Sequence, residues 1–243
     1  MNEPLQKSVA IVQSSYIPWK GYFDLIRSVD EFVLYDDQQY TRRDWRNRNR
    51  IKTPQGTTWL TIPVNVKGKY HQRIEETTVS DTGWAERHWR TLEHAYGRAS
   101  HFEEMRDVLQ RLYRECDEAF LSAVNRRFLE AICDLLVIRT PITWSRDYEA
   151  EGSKTERLVG LCRTAGATAY LSGPTARAYL DESLFEEAGI ELRFMEYAGY
   201  PEYEQLYPPF EHAVSVIDLL VHTGSSAPSY LERALPVGGR DAA

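Results

Sequence analysis

Two short β-branched runs, set one helix apart, constrain this chain more than any other feature. Residues 8–13, SVAIVQ, and residues 31–35, EFVLY, have the length and composition of buried strands. Between them, residues 21–29 place Phe23, Ile26 and Val29 on one helical face. Strand, helix and strand make a βαβ unit, whose connection is right-handed and whose strands are parallel. The expected fold is therefore α/β, with a parallel or mostly parallel sheet, flanking helices and an inserted helical segment.

The rest of the chain extends this plan. Residues 57–66, TTWLTIPVNV, predict a further strand or hairpin, with Gly56 supplying the preceding turn and Pro63 marking an edge or a strand end. From residue 84 to 137 the apolar spacing turns to three and four: Trp89, Leu92 and Tyr96, then Phe102, Met105, Leu109 and Leu112, then Phe120, Val124, Phe128, Ile132 and Leu135. Such stripes build core. Strand and helix alternate again after Pro141, with strands expected at 142–145, 169–171 and 191–197 and helices from 153 and over 214–221. Ser153 and Glu156 fit a capping box, while Gly166 and Gly224 are placed to close helices. The division that results is an N-terminal α/β part at 1–83, a helical segment at 84–138, a C-terminal α/β part at 139–224 and a flexible tail at 225–243.

Composition removes several classes. With 42% apolar and 27% charged residues the chain is not predominantly disordered. No apolar run approaches the roughly 18 to 20 residues of a membrane span, and the N-terminal apolar run of about four residues is too short for an export signal, so no membrane insertion is expected. Three cysteines with no CxxC spacing point to a reduced compartment, and a cytoplasmic location is the expectation. They favour packing over chemistry: Cys116 and Cys133 are expected inside amphipathic helices, and Cys162 on an apolar helix face. The six histidines make neither HExxH nor any strong zinc spacing, so no metal is expected, and the residues specify no cofactor and no oligomeric state. A serine triad is disfavoured because no GxSxG elbow is present.

Charge is where the sequence turns informative. The net charge is −7, yet residues 41–52, TRRDWRNRNRIK, hold five arginines and one lysine against one aspartate, which makes that segment +5 and leaves −12 on the remainder. A local reversal of this kind suits a small anionic ligand better than a polyanion, because guanidinium offers a planar fork to phosphate or carboxylate oxygens. The plain alternative is a solvated face paired with Asp36, Asp37, Glu75 and Glu76.

In parallel sheets, ligands bind beyond the carboxyl ends of the strands. Three polar clusters are expected there: Gln13 to Tyr16 leading into Trp19 and Tyr22; Asp36, Asp37 and Tyr40 leading into the arginines; and Ser172, Gly173, Pro174 and Thr175 ahead of Tyr179. Asp36 and Asp37 are candidate acid and base, with Gln13 beside them, although adjacent carboxylates more often cap a turn. Tyr16, Trp19 and Tyr22 carry more aromatic surface than a turn needs and suit stacking on a base or sugar.

VAIVQSSYIPWKGYFDLI, FVLYDDQQYTRRDWRNRNRI, TTWLTIPV, TERLVGLCRTAGATAYLSGP and IELRFMEY, in that order, resemble the WbqC-like protein family over about residues 9–224. The resemblance implies a setting in bacterial surface-polysaccharide (O-antigen) or specialised-metabolite biosynthesis. It carries over to Gln13, Tyr16, Pro18, Gly21 and Tyr22, to Asp36, Asp37, Tyr40, Trp45, Asn47, Arg48 and Asn49, and to Ser172 and Gly173. Ser14 departs from it, standing where the motif QPxYFPW commonly has its proline. Together with Trp19, Arg42, Thr175 and Tyr179, these are the candidate substrate-binding and catalytic positions.

Three functions compete. The first is a transferase attaching an acyl or aminoacyl group to a nucleotide-linked amino sugar or amine, with Asp36 or Asp37 as base. The second is an ATP-using nucleotidyl transferase or ligase, because the strand followed by PWKGYFDLI loosely resembles the HxGH loop of nucleotidylyltransferases without either histidine. The third is a non-catalytic module that binds a precursor or partner, aminoacyl-tRNA being a disfavoured variant because most of the chain is acidic.

Overall fold

The computed structural model describes residues 6–232. The expected βαβ unit forms as β1 (Ser8–Val12), α1 (Lys20–Arg27) and β2 (Glu31–Leu34), with β1 and β2 parallel and Val9 opposite Glu31. The arginine segment, which composition alone left without a shape, runs through turns carrying Arg42, Arg43 and Arg46 into an antiparallel hairpin: β3 (Arg48–Thr53) pairs with β4 (Gly56–Thr61). Gly56, at φ 105°, resumes the chain after the turn in a conformation that favours glycine. Pro63 lies just beyond the strand, consistent with a strand end.

The helical stripes resolve into α2 (Trp84–Tyr96), α3 (Phe102–Arg114) and α4 (Leu121–Leu135). Then follow β5 (Ile142–Trp144), α5 (Lys154–Thr164), β6 (Ala169–Ser172), α6 (Glu182–Glu187), β7 (Glu191–Phe194) and α7 (Val216–Thr223). The main sheet is parallel throughout, in the order β5-β2-β1-β6-β7.

Strand alternation divides the interior in two. Ala10, Phe32, Leu34 and Ile142 point into a core shared with α1, α2, α3, α4 and α7, whereas Val9, Ile11, Val33 and Tyr170 point into a second core with α5 and α6. The inserted helices are thus built into the sheet's own core: Tyr16, on the loop after β1, packs among Trp84, Tyr113 and Phe128.

Three local expectations are corrected. Ser153 occupies the N-cap of α5 with extended backbone, but its side chain makes no cap hydrogen bond, so the capping box does not form. Cys116 falls two residues beyond α3, though burial still pushes its thiol well above the usual range, as it pushes Cys133 and Cys162 up to about 12. Residues 224–231 are no loose tail: they form a 3-10 segment with Ala227 and Leu231 fully buried, and Arg27 donates to the Leu231 carbonyl at 2.6 Å. Residues 233–243 of the expected tail lie outside the described residues. No helix among the described residues is long and apolar enough to cross a membrane.

Candidate functional site

The chain winds outward from β1 through β2 to β5, then returns to β6 and winds outward again to β7. The direction therefore reverses between β1 and β6, and the loops leaving those two strands diverge into a crevice. A cavity of about 450 Å³ opens there. Val12 and Gln13 close it on the β1 side, Ser172, Gly173 and Thr175 on the β6 side, Tyr35 and Gln38 at the end of β2, and Lys154 and Thr155 at the start of α5. Tyr179, 70% exposed, stands among the lining residues. Gln13, Ser172, Gly173, Thr175 and Tyr179 thus meet in one crevice.

Arg46 and Lys154 are the cations among the described residues that line it, and Arg46 lies beside Gln13. Its NH1 donates to Gln13 Oε1 at 2.8 Å, its Nε is buried without a hydrogen-bond partner, and Asp44 approaches that Nε only to 3.9 Å. The guanidinium is 12% exposed, and its charge is offset in part by Asp44 and by the buried carboxyl of Asp36, on which it acts. Neither this cavity nor its neighbour is lined by aspartate, glutamate or histidine among the described residues. The local field is set by Arg46 and Lys154, against hydroxyls from Tyr35, Thr155, Tyr170, Ser172, Thr175 and Tyr179.

The expected carboxylate pair does not act as a pair. Asp36 is 1% exposed and accepts the Ser14 N–H at 2.8 Å and the Ser122 hydroxyl. Its burial raises its pKa above the ordinary range. Asp37 instead forms an ion pair with Arg157 on α5 and accepts from Gln38 Nε2 at 3.2 Å. Neither is among the residues that line the two cavities. Asp36 has a positioning role. Ser14 hangs from it, and Asn125 on α4 donates to both the Ser14 hydroxyl at 2.8 Å and the Arg46 carbonyl at 2.9 Å.

This network explains the departure at Ser14. A proline there has no N–H to give Asp36, so hydrogen bonds here supply the constraint that a ring supplies elsewhere. The same loop holds Ile17 at φ 36°, a strained conformation for a β-branched residue.

Other candidates separate by face. Tyr16 is fully buried and belongs to the core: His88 Nε2 donates to the Thr61 carbonyl at 3.2 Å, so its Nδ1 accepts the Tyr16 hydroxyl at 2.9 Å, and Tyr113 donates to Tyr16 at 2.7 Å. Burial drives the His88 pKa down to about 4 and keeps the Tyr16 phenol protonated. Tyr40, Arg42 and Asn47 line a different cavity together with Val64 and Val66. Arg48 lies over the Trp59 ring at 4.1 Å and lines neither crevice cavity. Asn49 is held by the Tyr16 carbonyl at 3.1 Å and by the Arg50 N–H at 2.8 Å. With Trp19, Tyr22 and Trp45 it lines a second cavity, which shares Val12 and Arg46 with the first.

Sequence reasoning missed Arg46, Arg50, Lys154 and Asn125. Arg46 and Arg50 were hidden among five similar arginines, and only the course of the chain through the turns and into the hairpin selects them. A polar asparagine in the middle of an apolar helical stripe was the legible sign of Asn125.

A doubly wound parallel α/β protein whose switch-point crevice is lined, among the described residues, by cations and no carboxylate is the class these observations define. The chain belongs to the WbqC-like protein family, whose model matches residues 13–230. It is 56% identical over 225 residues to the uncharacterized protein Rv1507c of Mycobacterium tuberculosis (strain ATCC 25618 / H37Rv), covering 93% of this chain and 97% of that protein. No solved structure matches it.

Proposed function

We propose that the protein is a transferase acting on a small anionic, nucleotide-linked amine or amino sugar, with Arg46 anchoring the phosphate. The observation that carries this reading is the part-buried Arg46 guanidinium, whose Nε–H has no partner at the switch point, with no carboxylate among the described residues lining the cavity around it. The hydroxyl and amide groups facing Arg46 suit a sugar's hydroxyls. Acyl or aminoacyl transfer in this crevice joins the substrate amine to the acyl carbon of the donor, whose leaving group departs with the amine proton; among the described lining residues no carboxylate or imidazole takes that proton, and Lys154 is the amine base at hand. The surface-polysaccharide or specialised-metabolite setting follows from the family resemblance. The ATP-using alternative leans on the loop around Lys20, whose ammonium is buried against the Pro201 carbonyl at 2.8 Å and does not line the crevice.

The test is calorimetric titration with uridine, thymidine and guanosine diphosphate sugars, comparing the natural chain with Arg46→Ala. Losing a charged hydrogen bond of about 1.5 to 3 kcal/mol predicts roughly 10- to 150-fold weaker binding. Equal affinity in both proteins, or no binding to the natural chain, sinks the reading. A second reading, a module that binds the precursor without converting it, is favoured by a lining that holds no carboxylate or imidazole among the described residues. It predicts the same titration but no product on adding activated acyl donors.

A further inference from the structure

The second cavity, about 340 Å³, is built differently from the first. The first is bordered mainly by hydroxyls and amides, whereas Trp19, Tyr22 and Trp45 present three planar rings to the second. Arg46 belongs to both. We infer that the second cavity is the subsite for a nucleotide base, with the phosphates at Arg46 and Arg50 and the sugar-bearing end in the hydroxyl-lined cavity. This rests on the function proposed above and assigns the two ends of that ligand.

Three features besides shape point to a base. Arg50, like Arg46, has a buried Nε without a partner; its NH2 donates to the Ala213 carbonyl at 2.9 Å, which aligns the guanidinium across the cavity wall. The Trp19 indole is a fixed wall rather than a loose side chain. A Cβ on Gly21 would fall 2.3 Å from Trp19 Cζ2, so only glycine lets the ring lie against the first turn of α1. Tyr197 and Tyr200 meet that indole in edge contacts at 5.1 and 6.0 Å. Trp45, 40% exposed, is tilted against Trp59 at 5.2 Å and has the Arg50 guanidinium over its ring at 5.9 Å, so the exposed ring and the cation adjoin at the cavity.

Recognition here is by stacking more than by base-edge hydrogen bonds. Both ends of the Asn49 amide are already engaged by the protein. The subsite therefore tolerates different bases, since every base has a π-face.

The test uses the full chain and defined probes: uridine, thymidine, adenosine and guanosine diphosphates, and glucose 1-phosphate, titrated by calorimetry. Trp45→Ala is expected to weaken every nucleoside diphosphate at least tenfold, and Trp45→Phe to recover most of that loss. Glucose 1-phosphate binding should change less than twofold in both. Gly21→Ala, which displaces the Trp19 indole, should mimic Trp45→Ala; if that variant unfolds, the Trp45 pair decides alone. Diphosphate affinities within twofold of the natural chain in Trp45→Ala, alongside loss in Arg46→Ala, overturn the base subsite and leave the anion site standing. Glucose 1-phosphate binding as tightly as the diphosphates also overturns it. Binding of no probe overturns both.

Discussion

The buried His88–Tyr16–Tyr113 chain makes a quantitative prediction about pH. His88 is a neutral imidazole whose Nδ1 must accept the Tyr16 hydroxyl, because its Nε2 donates to the Thr61 carbonyl. Burial holds its pKa at about 4, against 6.5 for the free side chain. A folded pKa below the unfolded one means that the unfolded chain binds the proton more tightly. Stability from this residue is therefore full above pH 6.5, falls as the pH drops through the window from 6.5 to 4, and levels off below it. Two and a half pH units at about 1.4 kcal/mol each correspond to about 3 kcal/mol, a large part of a domain's usual 5 to 15. The assay is urea unfolding at a series of pH values, followed by tryptophan fluorescence, for the natural chain and for His88→Gln. Glutamine can accept from Tyr16 and donate to Thr61 but does not titrate, and the pH dependence of the carboxylates cancels in the difference. The difference in unfolding free energy between the two proteins should shift by about 3 kcal/mol between pH 7 and pH 4. A difference that stays flat across that range would refute the assignment of a neutral, proton-accepting His88.

Four further outcomes test the site's scaffold. Asp36→Ala leaves the Ser14 N–H and the Ser122 hydroxyl without their acceptor and should cost about 1 to 3 kcal/mol in chemical denaturation. Asp36→Asn keeps an acceptor, and because burial raises the pKa of Asp36, ionisation weighs on the natural fold as the pH rises through the carboxylate range, so the asparagine variant should gain relative stability toward neutral pH. Asp37→Ala frees Arg157 and should lower the melting temperature while leaving nucleotide-sugar affinity within twofold; loss of affinity with no change in stability would return Asp37 to the ligand site. Asn125→Leu removes the amide that ties Ser14 to the Arg46 carbonyl, and ligand affinity measured by calorimetry should fall about as far as in Arg46→Ala even if the chain stays folded.

What the residues alone determined was periodicity and its consequences. The β-branched runs at 8–13 and 31–35, with Phe23 and Ile26 between them, specify parallel strands and a crossover helix because both patterns are local and repeat at fixed spacing. The polar runs after β1 and β6, from Gln13 and from Ser172, announced the crevice for the same reason: strand ends are readable, and ligands lie beyond them in parallel sheets. Tertiary structure decided which neighbours of a candidate residue serve which purpose. Asp36 and Asp37 look equivalent in sequence, yet one turns to Ser14 and Ser122 in one core and the other to Arg157 on the opposite helix layer. Among five arginines in nine residues, the course of the chain through the turns and into the hairpin brings Arg46 and Arg50 to the crevice, sends Arg42 to another cavity and lays Arg48 on Trp59. Tyr16 looked like a stacking platform and is instead a core residue, because helices more than sixty residues away in the chain close over it. Charge counts and strand patterns are sums over local chain, whereas the direction of a side chain depends on partners that only folding brings near.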